Sequence, residues 1–314
     1  MLLRLGILSG LFFLFNASTC EREVELDIGQ PKDRLSVYCS FESEQQMVLQ
    51  LGKSRAVINR APEEFLPNAT VNLYEGTSFL EQLKFIPQPS DTSLPPHYVS
   101  TETTFKEGRS YRIEASLSGF DDIQAESSIP PHSTIRNMRS YDLVIDKDSK
   151  PGLSIYSYKI NVKINDPQEA GNYYHLIVYQ EIFKKEGQSD GTVTNKHFFQ
   201  PLAFDISSNS NDIVSYLNQG ILIKDNPFNN SGYNFEMEEI TLNPITDHLG
   251  LTYFALRTVS EEYYLFHSSF ARQYNADITG NLFSEPVFIF ENVNNGYGIF
   301  AGYSTQWAAI DVLE

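Results

Sequence analysis

Two cysteines, one tryptophan, four methionines and six histidines are all that 314 residues contain of those types. Two cysteines allow at most one disulfide. The histidines, His97, His132, His175, His197, His248 and His267, fall at no HExxH, HxxxH or HxH spacing, so a local zinc motif is missing. No GxSxG elbow and no Walker-type glycine loop occurs. "GYGIFAG" is glycine-rich but lacks the strand-to-helix setting of a phosphate loop, and its glycines let the backbone turn or approach closely. "DNPFNNSGYNFE" offers oxygen ligands without the DxDxDG ladder of a calcium loop. Positive charge is scarce too: 23 basic residues face 40 acidic ones, a net charge of −17. That excludes nucleic acid as a partner, since affinity there comes from cations that displace counterions from phosphates. It also excludes a basic membrane-binding face. Paired carboxylates, Glu261/Glu262 and Glu238/Glu239, suit acid–base work only at a defined separation, and a surface position is their ordinary place. The expectation is a protein that is not an enzyme and that holds no cofactor and no metal.

What the chain does have begins at its start. Residues 1–19 carry one charge, Arg4, then "LGILSGLFFLF" and "NAST". A positive end, a short apolar run and small residues before a cut make a secretory signal. The run is shorter than the ~20 residues a membrane span needs. Ala17, Ser18 and Thr19 before Cys20 resemble a bacterial lipobox, in which the cysteine thiol receives a diacylglycerol. Thr19 and Ala17 depart from the usual residues of that motif. Lipidation of Cys20 leaves Cys39 as a small packed hydrophobe in "LSVYCSF". The rival reading is a Cys20–Cys39 disulfide, open to any exported protein. "EREVELD" then makes an acidic tether, residues 20–32, that keeps the chain off an anionic surface.

From about residue 33 to 131, short alternating segments are broken by turn residues: "RLSVYCSF", "QQMVLQLGKS", "ATVNLYEG", "LEQLKFI", "HYVST", "SYRIEASLSG" and "DDIQAESSIP". In "SYRIEASL", Tyr111, Ile113, Ala115 and Leu117 point one way and Arg112, Glu114 and Ser116 the other, the period of a half-buried strand. About seven such strands in about 100 residues predict an immunoglobulin-like β-sandwich. "SSIPPHSTI" marks a boundary, because consecutive prolines interrupt a strand. Residues 132–314 then predict a larger β-rich domain with one or two short helices. Its strands are "LSIYSYKINVKIND", "GNYYHLIVYQEIFKK", "YNFEMEEITL" and "GLTYFALRTV". The helix is "SEEYYLFHSSFARQYNA", capped by Ser260 with acids in its first turn. Its apolar stripe is Tyr263, Phe266, Phe270 and Tyr274. "PVFIFENVNNGYGIFAGYSTQWAAIDV" reads as two closing strands around an Asn/Gly loop. That loop, with Asn292, Asn294, Asn295 and Tyr297, together with Trp307, is the candidate binding or interface surface, since exposed Tyr and Trp present apolar faces with a polar handle.

These features resemble the DUF4249 lipoproteins of the Bacteroidota. The likeness is strongest in "EPVFIFENVNNGYGIFAGY", at Glu285, Pro286, Asn292, Gly296, Gly298, Phe300 and Gly302. "GRSYRIEASLSGF" is similar at Gly108, Tyr111 and Gly119, and "DPQEAGNYYHLIVY" at Asp166, Pro167, Tyr173 and Tyr174. "KDNPFNNSGYNF" departs from its family counterpart: Lys224 replaces an acid, and extra residues separate Asn229 from Gly232. The resemblance covers nearly the whole chain after Cys20. It implies a lipidated Cys20, an outer-membrane location on the periplasmic face or the cell surface, and a binding or accessory role beside a TonB-dependent receptor in nutrient uptake. The alternative is an independent surface module that binds glycan or peptide by stacking on exposed Tyr or Trp307.

Overall fold

Alternating burial explains the first strands. In β1 (Leu35–Glu42), Leu35, Val37, Cys39 and Phe41 are buried while Ser36, Tyr38 and Ser40 face the other way. The computed structural model describes residues 32–54, 62–91, 93–165, 171–187, 193–206, 213–216, 219–224, 233–278 and 287–314. Cys20, the signal and nearly all of the tether lie outside them, as do Glu285, Pro286, Asp166, Pro167 and most of the 225–236 loop. Cys39 is a free, buried thiol, and burial pushes its pKa well above the usual range.

Seven more strands follow: β2 (Val48–Lys53), β3 (Thr70–Glu75), β4 (Ser78–Gln82), β5 (Lys84–Ile86), β6 (His97–Val99), β7 (Ser110–Ser116) and β8 (Ile123–Ser128). β4, β3, β7 and β8 form an antiparallel sheet in that order. Its inward side chains, Val71, Leu73, Tyr111, Ile113 and Ala125, share one core with Val37, Phe41, Leu49 and Phe300. Burial of each large side chain there stabilises by about 1.5–3 kcal/mol. "LEQLKFI", read as one strand, divides at Leu83, so that β4 joins the four-stranded sheet and β5 pairs with β6.

β1 pairs in parallel with the last strand, β19 (Tyr297–Ile310), from Ser36↔Tyr297 to Glu42↔Tyr303. Through β19 the sheet continues into β18 (Asp247–Val259) and β11 (Tyr173–Gly187). Strand pairing therefore runs across the boundary placed at residues 131/132. The far margin of β11 is shared along its length by β15 (Ile221–Lys224), itself paired with β14 (Ile213–Ser215), and by β12 (Val193–Leu202).

This long sheet is covered on both faces in its second half. A five-stranded sheet of β9 (Thr134–Asp146), β10 (Ser154–Asn165), β13 (Phe204–Ile206), β16 (Tyr233–Met237) and β17 (Ile240–Leu242) packs on one side. There Tyr158, Ile160 and Phe235 meet Tyr174, Leu176, Val178 and Phe254. On the opposite face lies α1 (Glu261–Ile278). Ser260 Oγ accepts the backbone N–H of Tyr263 at 3.3 Å, the expected cap. Its first-turn acids also anchor it: Tyr173 donates to Glu261 at 2.9 Å and Ser127 to Glu262 at 3.0 Å.

The structure differs from the sequence reading in further places. The buried face of α1 is Tyr263, Tyr264, His267, Ser268 and Ala271, whereas Phe270 and Tyr274 turn outward. Of the predicted stripe, Tyr263 is buried and Phe266 packs against the core beneath, so only its C-terminal half faces solvent. Residues 287–293 are not a strand. Two of their N–H groups go to helix side chains, Val287 to Gln273 Oε1 and Phe290 to Ser269 Oγ. Lastly, β9, β12, β13, β14 and β15 lie outside the strands read from sequence; β9, β12 and β15 carry no clean alternation of apolar residues. No helix among the described residues is long and apolar enough to cross a membrane.

Candidate functional site

β19 sets two different surfaces at its two ends. At its start, "NVNNGYG" is bound into the fold. The Asn292 amide accepts the Phe300 N–H at 2.9 Å and donates to the Phe300 carbonyl at 2.7 Å and the Glu126 carbonyl at 3.2 Å. It thus stands in for a missing strand partner. Asn294 exchanges backbone bonds with Gln124, and Asn295, at φ +60°, donates to the Asp122 carbonyl at 3.2 Å. Tyr297 lies beneath the Arg34 guanidinium, 5.4 Å from its ring centre. Gly298 has φ +101°, and a Cβ there would stand 1.9 Å from the Val37 carbonyl oxygen. No other residue fits both demands.

Trp307 is ten residues farther along, and it is 58 % exposed. The registers Ala255↔Trp307 and Tyr179↔Tyr253 place it near two tyrosines on the face that α1 covers elsewhere. Phe199 of β12 stands opposite Glu181 and completes the group. Tyr179, Phe199, Tyr253 and Trp307 line an open hollow of about 390 Å³ to which no polar atom contributes. Tyr179 and Trp307 are 5.9 Å apart and tilted by 32°. Phe199 meets Tyr253 edge-on at 5.3 Å and 84°. A second row supports Phe199: His197 is 5.0 Å from it and stacks on Phe183 at 4.8 Å and 8°. Glu181 fixes that row, holding His197 Nε2 at 2.7 Å and accepting the Leu251 N–H at 2.9 Å. Phe199 and Trp307 are exposed, and Tyr179 and Tyr253 are half-buried between them.

Beneath α1 lies a polar cluster of another kind. His175 Nε2 donates to the Gln219 carbonyl at 2.9 Å, so its Nδ1 accepts from the Tyr263 hydroxyl at 3.0 Å. His267 Nδ1 pairs with the Tyr216 hydroxyl at 2.8 Å. Arg257 lies 4.7 Å from the centre of the Tyr303 ring. Burial, reinforced by the Arg257 charge, pulls both histidines down to about 3. They are neutral at ordinary pH and act as fixed hydrogen-bonding pieces.

Of the residues singled out from sequence, four share the latch at the start of β19 and Trp307 stands apart from them. Tyr179, Phe199 and Tyr253 escaped notice because strand register alone brings them to Trp307. The one available signal was "HFF" at 197–199, in which His197 and Phe199 share a face. Among the described residues no group of three or more His, Cys, Asp or Glu side chains could hold a metal ion.

The model of the family described as domain of unknown function DUF4249 matches residues 21–307. Among curated proteins none matches the chain. The chain belongs to the DUF4249 family.

Proposed function

We propose that this DUF4249 member is a ligand-binding protein rather than an enzyme, and that the ring-lined hollow around Trp307 receives the ligand. One observation carries the reading. Four aromatic side chains from four strands line an open hollow of about 390 Å³ and leave it without polar atoms. Ligand sites commonly span about 300–1,000 Å³ and are mostly apolar and aromatic. The independent surface-module reading is favoured by this geometry, with peptide or glycan as the ligand. The N-terminal sequence supports export and a lipid on Cys20, and hence a place at the outer membrane. Residues 33–131 we read as an immunoglobulin-like sandwich, on the strength of two facing sheets around one core. In the setting that the family resemblance implies, ligand passes on to a TonB-dependent receptor. Co-purification of such a receptor with the tagged protein from gently solubilised outer membranes tests that part separately.

The chain supplies its own reporter for the hollow, because Trp307 is its single tryptophan. Short peptides and oligosaccharides are titrated against the full chain while Trp307 emission is followed. The expected result is a saturable shift with one class of probe, reduced by Tyr253→Leu. If no probe moves the emission or its quenching by acrylamide, the hollow is not a binding site.

A further inference from the structure

We propose that the hollow takes the guanidinium group of an arginine carried on an extended peptide. The inference rests on the hollow being the ligand site and names what fills it. Three observations lead there. The first is the lining itself: aromatic faces carry the negative part of a quadrupole, so an apolar hollow walled by rings favours a weakly hydrated cation over an anion.

The second is that this chain already uses the same contact internally. Arg34 lies 5.4 Å from the Tyr297 ring centre, Arg112 4.3 Å from that of Tyr74, and Arg257 4.7 Å from that of Tyr303. Among the described residues, no such cation covers Tyr179, Phe199, Tyr253 or Trp307. A planar guanidinium suits the tilted Tyr179–Trp307 pair better than a compact ammonium does, because it stacks as well as attracts.

The third is charge. With 40 acidic residues against 23 basic ones, the chain's field draws cations and repels anions. A peptide is favoured over a free small cation by the strand beside the hollow. Among the described residues β12 pairs with β11 alone, so its other margin offers backbone groups to an added extended chain.

The test titrates the full chain with acetyl-Gly-Arg-Gly-amide, its citrulline counterpart, and a maltooligosaccharide, following Trp307 emission. Citrulline keeps the shape of arginine and removes its charge. The arginine peptide is expected to shift the emission saturably, and the citrulline peptide to bind about tenfold more weakly or less. Added salt should weaken the arginine peptide. Tyr179→Leu, which keeps the reporter, should weaken it about tenfold with unchanged circular dichroism. Equal binding of the two peptides, a response to the oligosaccharide alone, or an arginine affinity unmoved by Tyr179→Leu would each overturn the arginine assignment. The first two of those results leave the hollow as a binding site. Silence with all three probes removes both readings.

Discussion

The two ends of β19 lie in one strand and behave as opposites. At the start, Asn292, Asn294 and Asn295 spend their polar groups on Phe300, Glu126, Gln124 and Asp122. At the other end, Trp307 contributes 58 % of its surface to solvent and meets Tyr179 across an open hollow. Both stretches are rich in residue types that bind ligands. What separates them is commitment: a group already paired within the fold has little left for a partner, and an exposed ring has everything left. On that ground we read the latch as structural and the hollow as the proposed binding surface. Substitutions should split the two ends cleanly.

The largest effect is expected at Gly298. Its left-handed backbone and the 1.9 Å approach to Val37 leave no room for a methyl group. Gly298→Ala should cost about 4 kcal/mol or more, since β1 and β19 must part to admit it. Denaturant unfolding of the purified variant measures this, with failure to fold as the extreme. A Gly298→Ala protein of ordinary stability would show that the latch is pliable and reopen it as a binding surface.

Acid should find the buried cluster under α1 next. Histidine takes up a proton at 6.5 when unperturbed and at about 3 within this fold, at both His175 and His267. Between those values the unfolded chain holds more protons than the folded one. Stability is therefore whole above about pH 6.5 and is lost as pH falls toward 3, by about 1.4 kcal/mol per unit for each histidine. Urea midpoints between pH 7.5 and 5 read the slope. His267→Phe lowers the baseline by losing the Tyr216 bond, yet it should roughly halve the slope. An unchanged slope would mean that His267 is not titrating in the unfolding reaction.

How far the sequence reveals this molecule follows the same division. β1 and β7 are legible because each has one dry face and one wet face, and the period of two survives in residues such as Tyr111, Ile113 and Ala115. β9 and β12 are illegible because their apolar residues do not alternate; in β12, Phe198 and Phe199 are neighbours and both exposed. The helix and its Ser260 cap are readable from local chemistry, but its partners Tyr216 and His175 are distant in sequence. Trp307 stands out as a lone large ring. Its companions come from three other strands, and only the registers of β11, β12 and β18 assemble them. Local pattern therefore predicts elements well and a composite site poorly.

Asn292→Ala tests the latch at a smaller scale than Gly298. It removes three hydrogen bonds and leaves the N–H and carbonyl of buried Phe300 without that partner. The expected loss is about 2–3 kcal/mol, read as a lower urea midpoint with no change in Trp307 emission.

The smallest stability effect, and the sharpest contrast, belongs to Trp307. Cutting a buried tryptophan to alanine commonly costs about 3–5 kcal/mol. Trp307→Ala should instead stay within about 0.5 kcal/mol of the parent, because more than half of the side chain already faces water. The strand pairing around it uses backbone groups alone. Binding measured by calorimetry, which needs no fluorophore, should fall about tenfold or more in the same variant. A residue that is nearly neutral for folding and costly for binding is what the open end of β19 predicts. If Trp307→Ala lowered stability by several kcal/mol, the ring would be part of the framework, and the contrast between the two ends of the strand would collapse.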